Sequence, residues 1–412
     1  MTDTNFAALG LAEPLLRALA ARKFVSPTPI QAEAIPALLQ GRDLLGVAQT
    51  GSGKTAAFTL PMLQHLAAQH VRPAPFVTRG LILAPTRELA LQIDETVRAL
   101  SSQVRLRTVV IIGGASRFRQ VEAMRRGADI VIGTPGRVCD LMQTRELQLG
   151  AVSRFVLDEA DRMLDLGFIK DIRRIVAALP AQRQSALFSA TMPAEVASLA
   201  NGLLREPVRV EIARKEETAP KIDQFVHHVA QSGKQPLLLS LLGDAALSRV
   251  IVFTRTKHGA NKVAGVLENA GVQVNAIHGN KSQSQRERAL RDFRTGRARV
   301  LVATDIAARG IDVTGISHVI NFDLPAEPES YVHRIGRTAR AGAAGVAISF
   351  CDPAERSTLR VIERLTGAKL AVIGDEPQQV PQQQKRAGAP GQAKRRRFRP
   401  NNGNRSGMRS AA

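Results

Sequence analysis

The sequence predicts an α/β protein of two consecutive domains, each a mostly parallel sheet flanked by helices, followed by a disordered basic tail. Three observations carry this. Short apolar runs rich in β-branched residues alternate with helical patterns, the runs form two series, and a polar segment separates the series. The first series is Leu81–Ala84, Val109–Ile112, Ile130–Ile132, Phe155–Leu157 and Ala186–Phe188. The second is Val250–Phe253, Val274–Ile277, Val300–Ala303, Val319–Phe322 and Val346–Phe350. Uninterrupted apolar runs of this length suit strands buried on both faces, and their alternation with helices implies strand–helix–strand units.

Glu211 to Lys221 is charged and contains Pro220, so it reads as a linker. The expected boundaries are residues 1–212 for domain 1, 213–221 for the linker, 222–374 for domain 2 and 375–412 for the tail. Each domain is large enough to bury a core of its own. The tail is rich in Pro, Gln, Gly, Asn and Arg, with Lys394–Arg397 as its densest charge cluster. It has too little apolar surface to offset the entropy of ordering.

The 412 residues hold 57 Lys and Arg against 36 Asp and Glu, a net charge of +21, which argues for a polyanionic partner, nucleic acid before membrane. From Pro377 onward there are nine basic residues and no acidic ones, so the tail is expected to be a nonspecific RNA- or DNA-binding arm. Arg outnumbers Lys 45 to 12, which a GC-rich genome explains better than phosphate binding does. Two cysteines, Cys139 and Cys351, cannot make a disulfide framework and read as inert buried thiols of a reducing compartment. No apolar run is long enough to span a bilayer, and Asp3 and Glu13 stand where a secretory signal would be basic and then apolar. A cytoplasmic protein without membrane association is expected.

Three motifs carry chemistry. Ala48 to Thr55 (AQTGSGKT) lies between the apolar stretch Leu44–Val47 and a helical pattern. Thr50, Gly51, Ser52 and Gly53 let the backbone turn tightly, so that its N–H groups surround phosphates. Lys54 then neutralises the β- and γ-phosphates, and the Thr55 hydroxyl ligates Mg²⁺. Ala48 stands where this motif usually has glycine. In the second motif, Phe155–Leu157 runs into Asp158 and Glu159, adjacent carboxylates that face different directions in extended chain. Asp158 is suited to hold Mg²⁺ and Glu159 to deprotonate an attacking water. The third is His333 to Arg340 (HRIGRTAR). If helical, it puts His333, Arg337 and Arg340 on one face, where two guanidiniums call for an anion. Domain 2 has no phosphate loop, so Arg337 and Arg340 fit arginine fingers that cross a cleft to the γ-phosphate of a nucleotide on domain 1.

These motifs resemble those of DEAD-box ATP-dependent RNA helicases, whose name Asp158–Asp161 spells, and the likeness runs over residues 6–350. It implies two tandem RecA-like domains with ATP between them and RNA across both. Phe24 to Gln31 (FVSPTPIQ), with Phe6 upstream, resembles the adenine-reading motif. There Phe24 would stack on the base while Thr28 and Gln31 complete the pocket, which selects ATP over GTP. Pro85, Thr86 and Arg87, then Gly113–Gly114, then Thr134, Pro135, Gly136 and Arg137 resemble the RNA contacts of domain 1. In domain 2 the resemblance implies RNA contacts from Arg286, Thr304 and Gly310 and a nucleotide contact from Asp312. Ser189 and Thr191, with His333, would link hydrolysis to strand separation.

Two departures stand out. Lys23 occupies a usual glycine position before the aromatic, and Ala339 another between the fingers. The second is expected to be harmless, because alanine suits a helix. The compact core and short basic tail resemble bacterial members of the RhlE-like subgroup. The family implies ATP and Mg²⁺ as cofactors and RNA-stimulated hydrolysis coupled to local unwinding of short duplexes. The implied partner is RNA with little sequence preference, which a single tyrosine and no tryptophan also suggest. Ribosomal precursors and RNA-decay proteins are the implied settings, with a monomeric core. Three rival readings stay open: an ATP-gated RNA clamp, a DNA helicase of the same superfamily, and an RNA chaperone driven by the tail.

Overall fold

The computed structural model describes residues 5–49, 51–212, 222–308, 313, 315–339 and 344–374. The expected linker at 213–221 and the basic tail from 375 lie outside the described residues, as do Thr50, Gly310, Asp312 and Arg340.

The strands of the first sheet are β1 (Leu44–Val47), β2 (Thr78–Leu83), β3 (Thr108–Ile111), β4 (Ala128–Gly133), β5 (Arg154–Leu157), β6 (Gln184–Ser189) and β7 (Val208–Glu211). Those of the second are β8 (Ile222–His228), β9 (Val250–Phe253), β10 (Val274–Ile277), β11 (Val300–Ala303), β12 (His318–Asn321), β13 (Gly345–Cys351) and β14 (Ala371–Val372). Spatial order is β3-β4-β2-β5-β6-β1-β7 in lobe 1 and β10-β11-β9-β12-β13-β8-β14 in lobe 2. Pairing between the named strands is parallel throughout.

Two-sided burial is visible residue by residue. In β2, Ile82 belongs to the core on one face of the sheet, while Leu81 and Leu83 belong to the core on the other. In β9, Val250 and Val252 face one way and Ile251 and Phe253 the other. Each fully buried Leu, Ile or Val contributes about 1.5–3 kcal/mol, which is why polar residues do not interrupt these strands. Cys139 and Cys351 are both buried and free. Burial pushes each thiol up to about 11, consistent with the inert role expected of them. No helix among the described residues is long and apolar enough to cross a membrane.

Three strands go beyond the pattern of apolar runs. β7 (VRVE) and β14 (AV) close one edge of their sheets, and β8 (IDQFVHH) lies beside β14. β7 and β8 interleave polar residues with apolar ones, and β14 has only two residues. Periodicity within such short, mixed segments is too weak to identify a strand.

Candidate functional site

Most of the described residues singled out above follow the C-terminal ends of strands, where open parallel sheets offer their crevice. After β1 the chain turns through Gly51 (φ +88°) and Gly53 (φ +95°) and enters the helix Lys54–Ala68. Both glycines are left-handed, which turns backbone N–H groups inward around a concavity. A Cβ at Gly53 would come within 2.5 Å of Gln31 Nε2 and 2.9 Å of Thr28 Oγ1. The adenine-motif residues therefore pack directly on the loop. Gln31 is buried, donates from Nε2 to the Gly53 carbonyl at 3.1 Å, and accepts at Oε1 from the Thr28 amide at 3.0 Å. Upstream, Phe24 remains 40% exposed and meets the buried Phe6 edge-on at 6.4 Å.

Lys54 is buried and donates to the Ala48 carbonyl at 2.8 Å. Its ammonium also acts on Asp158, which follows β5. Burial drives the Asp158 carboxyl well above the usual carboxylate range; Lys54 opposes that rise, and neighbouring Glu159 adds to it. Asp158 Oδ1 accepts from the Glu159 amide at 2.9 Å. Glu159 is itself left-handed (φ +54°, ψ +55°), a costly conformation for a residue with a Cβ, and its carboxylate pairs with Arg162. Thr28 Oγ1, Ser52 Oγ and Arg162 Nη2 are buried without a hydrogen-bond partner. Orphaned polar groups at the phosphate loop and on the guanidinium beside Glu159 are what a site built for a polar ligand leaves behind.

Asp161, to which the sequence motif assigns no role, ties two motifs together. Its Oδ2 accepts from the Ala190 amide (3.2 Å), the Thr191 amide (2.9 Å) and Thr191 Oγ1 (2.9 Å). Ser189 Oγ donates to the Thr191 carbonyl at 2.7 Å and accepts from the Asp161 amide at 3.3 Å. The only sequence signal for this link is a third carboxylate beside the pair.

A second crevice, about 450 Å³, is lined by Pro85, Thr86, Arg87, Thr134, Gly136 and Arg137 of lobe 1 together with Gly279 and Arg286 of lobe 2. Thr86 caps the helix Arg87–Leu100, its Oγ1 accepting from the Leu89 amide, and Pro135 opens the helix Pro135–Gln143. The Arg87 guanidinium lies over Gly113–Gly114, where a Cβ on Gly114 (φ +72°) would overlap it. Burial lowers the Arg87 pKa, and Arg286 and Arg137 lower it further while Glu88 opposes them. Guanidiniums crowded around Arg87 in this way favour an anionic ligand. Glu88, missed in the sequence, pairs with Arg286 at 2.7 Å and joins the lobes; both side chains are buried. Thr304 follows β11 at the same end of the lobe 2 sheet.

The third motif departs from expectation. Its helix, Glu329–Ile335, stops before the second arginine, with Gly336 as its cap. Arg337 is buried in the following turn, its Nε donating to the His333 carbonyl at 3.1 Å. His333 and Arg337 therefore do not share a helical face, and Arg340 lies outside the described residues. Ala339 is left-handed (φ +54°), so its fitness for a helix is beside the point, and the residue is strained where glycine would not be. Lys23 (φ +59°) is strained for the same reason. Arg334, which sequence reasoning passed over, is the anchor of this motif. It is 1% exposed, pairs bidentately with Asp305 (2.5 and 2.7 Å), donates to Asn321 Oδ1 and the Asp323 carbonyl, and stacks over Phe253.

Residues 28–199 match the family model for DEAD/DEAH box helicases, and residues 233–342 match that for the helicase conserved C-terminal domain. A DEAD-box ATP-dependent RNA helicase CshA of Bacillus cereus is 44% identical over 367 residues, covering 89% of this chain and 69% of that protein. The Bacillus subtilis protein of the same name is 42% identical over 370 residues, covering 90% and 74%. These relatives carry the CshA name and lend no support to the RhlE-like subgroup. Among solved structures, Saccharomyces cerevisiae Dbp5 bound to RNA and ADP BeF3 aligns with a TM-score of 0.77 at 36% identity, covering 90% of this chain and 95% of that one. With both family models matched in order on a pair of parallel sheets, and with relatives this similar over nine-tenths of its length, the chain belongs to the DEAD-box ATP-dependent RNA helicases.

Proposed function

We propose that this helicase hydrolyses ATP at the Lys54–Asp158–Glu159 site and couples turnover to local opening of short RNA duplexes held in the interlobe crevice. The observation that carries this reading is that Lys54 of the phosphate loop acts on Asp158 after β5, with both residues and the adjoining Glu159 buried. In this reading Phe24 stacks on adenine, and Gln31, already bonded to Gly53, reads its edge while Thr28 supplies a hydroxyl. The amides of residues 50–53 and the Lys54 ammonium hold the phosphates. Thr55 and Asp158 are hard oxygen donors of the kind Mg²⁺ takes, and when bound the ion neutralises charge on the β- and γ-phosphates.

Glu159 accepts the proton of the attacking water, and its left-handed backbone and the Arg162 pair hold the carboxylate in place for that task. Arg337 and Arg340 stabilise charge developing on the transferred phosphoryl group, and Asp312 contacts the nucleotide. RNA lies on Pro85, Thr86, Arg87, Gly114, Thr134, Pro135, Gly136 and Arg137 and on Arg286, Thr304 and Gly310. Loss of phosphate reaches the RNA through Asp161, which grips Ser189-Ala190-Thr191, and through His333. Likeness to Dbp5 is higher for the form bound to RNA and ADP BeF3 (TM-score 0.77) than for a variant form bound to gle1 and ip6 (0.69), in keeping with lobes arranged to clamp a strand. The proposed setting is a bacterial cytoplasm, with ribosomal precursors or RNA-decay assemblies as targets.

The test is steady-state ATP hydrolysis with and without single-stranded RNA, with a matched DNA strand and Glu159→Gln as controls. Stimulation by RNA above DNA, and a fall of about 10²–10⁴-fold in Glu159→Gln with ATP binding retained, is expected. Hydrolysis at the parental rate in Glu159→Gln would remove the base assignment, and equal stimulation by DNA would reassign the substrate.

A further inference from the structure

We infer that single-stranded RNA leaving the interlobe crevice over lobe 1 continues into a second, basic groove along the edge strand β3, and that a base stacks on Phe118 of the helix that flanks this groove. The inference rests on the RNA-helicase reading above and adds a binding site to it. β3 lies at the rim of its sheet, paired only with β4. Beside it runs a groove of about 330 Å³ whose walls include Arg98, Arg107, Arg119, Val110 and Ser116.

Four features point to a nucleic-acid strand. The groove adjoins the RNA crevice: Gly113 lines the crevice, Ala115 and Ser116 line the groove, and Arg137 of the crevice donates to the Ala115 carbonyl at 3.3 Å. A single short segment is thus the wall between them. Charge is the second. Three guanidiniums line the groove; Arg98 is paired with Asp94, which leaves Arg107 and Arg119 as its net charge, while Glu122 pairs with Arg125 and Glu146 with Arg117. Arg107 directs its donors to the Gly127 and Ala123 carbonyls, which leaves its charge uncancelled, and Arg119 has no carboxylate partner among the described residues.

The third is Phe118, 74% exposed between Arg117 and Arg119 on the helix Arg117–Met124. A lone exposed aromatic carries no meaning by itself. Among the described residues, however, the only exposed Phe or Tyr rings are Phe24 (40%), in the adenine motif, and Phe118, on the helix whose Arg119, Gln120 and Ala123 line the β3 groove. An aromatic ring flanked by arginines at the exit of a backbone-binding cleft is the usual platform for a base read without sequence preference. The fourth is positional. The helix Gln283–Arg294, which carries Arg286, follows β10 through a serine cap just as Arg117–Met124 follows β3. Both lobes thus present the corresponding helix to the strand, lobe 2 with Arg286 and lobe 1 with Phe118 and Arg119.

The test uses the full chain, with Phe118→Ala and Arg119→Glu, both exposed and outside the catalytic and crevice residues. Binding is measured by fluorescence anisotropy on the shortest oligouridylate that fully stimulates the parental ATPase, and on that strand extended at its 5′ or its 3′ end. Phe118→Ala should keep parental affinity and stimulation with the short strand. It should lose about fivefold or more in affinity for one of the two extended strands. Arg119→Glu should reduce the salt dependence of binding that same extended strand by at least about one phosphate contact. Parental affinity of both variants for both extended strands, as expected if the groove takes an acidic protein segment instead, would overturn the inference. So would an equal loss on the short strand, which would place Phe118 in the crevice itself. Failure of RNA to stimulate the parental ATPase would instead sink the helicase reading on which the inference stands.

Discussion

Adding seven to each strand label of lobe 1 reproduces the spatial order of lobe 2, so every strand end in one lobe has a counterpart in the other. Thr86 caps the helix after β2 and Thr256 the helix after β9, each accepting from an amide three residues on. Thr134 follows β4 as Thr304 follows β11, and Gly113 follows β3 at the spacing at which Gly279 follows β10. The surfaces assigned here to RNA are thus one design used twice. The nucleotide end is where the lobes part. After β1 comes Ser52-Gly53-Lys54, and after β8 comes Ser232-Gly233-Lys234, with each lysine opening its helix. In lobe 1 Gly53 is left-handed and the loop is open. In lobe 2 the connection is one residue shorter, Gly233 is right-handed (φ −86°), and Gln231–Gly233 winds into a 3₁₀ turn.

The two lysines consequently meet different anions. Among the described residues, Lys54 has the Ala48 carbonyl and the charge of Asp158 beside it, whereas Lys234, with a fully buried side chain, is held by Glu355 (2.7 Å), Asp323 (3.5 Å) and Asp352 (3.5 Å). Asp323 stands two residues beyond β12, as Glu159 stands two beyond β5. Carboxylates of the chain occupy in lobe 2 the role that phosphates are proposed to take in lobe 1. A loop in the same place in the fold can bind a ligand or brace a domain, depending on whether its counter-anions are built in.

Exchanging roles between the lysines should give the largest effects. Lys54→Ala should cut hydrolysis by at least about a hundredfold and leave the thermal midpoint near parental, because no buried ion pair is broken. Lys234→Met should leave three carboxylates without their buried counter-charge and destabilise lobe 2 by about 3–5 kcal/mol, read by denaturant titration, with ATP binding retained. If Lys234→Met instead lost ATP binding at parental stability, the contrast between the lysines would be false. The glycines should differ next. Gly53→Ala costs about 1–2 kcal/mol for a left-handed alanine and drives a Cβ into Gln31 and Thr28, so nucleotide affinity should collapse. Gly233→Ala needs only the Val229 side chain to shift and should stay within about 1 kcal/mol of parental stability with unchanged hydrolysis.

The smallest effects belong to the strained positions. Ala339→Gly and Lys23→Gly should each raise stability by about 0.5–1 kcal/mol, the relief of a positive φ less the entropy glycine loses on folding. A lower thermal midpoint in either variant would show that the left-handed turn is not strained in solution.

Local pattern is enough for most of the fold. Leu44–Val47 and Val250–Phe253 read as strands because they are short, apolar and bounded by turn residues, and β7, β8 and β14 escape because they are mixed or too short for that pattern. The phosphate loop is legible for a similar reason: its chemistry lies in consecutive residues, and glycine spacing alone implies the backbone that Gly51 and Gly53 adopt. Asp158 and Glu159 are legible as a pair following an apolar run. The helix of the third motif misleads because a period of 3.6 says which residues share a face only while the helix lasts, and this one ends at Ile335.

The sequence by itself therefore determined the parallel sheets, the place of the phosphate loop and the carboxylates at the strand end, since these are written in neighbouring residues. Only the tertiary structure decided that Glu88 meets Arg286, 198 residues away, that Lys234 is neutralised by Glu355, 121 residues away, and that Arg334 rather than its neighbours anchors the third motif on Asp305. A charged side chain carries no mark of its partner, and burial pairs it with whatever counter-charge the packed sheets bring within reach.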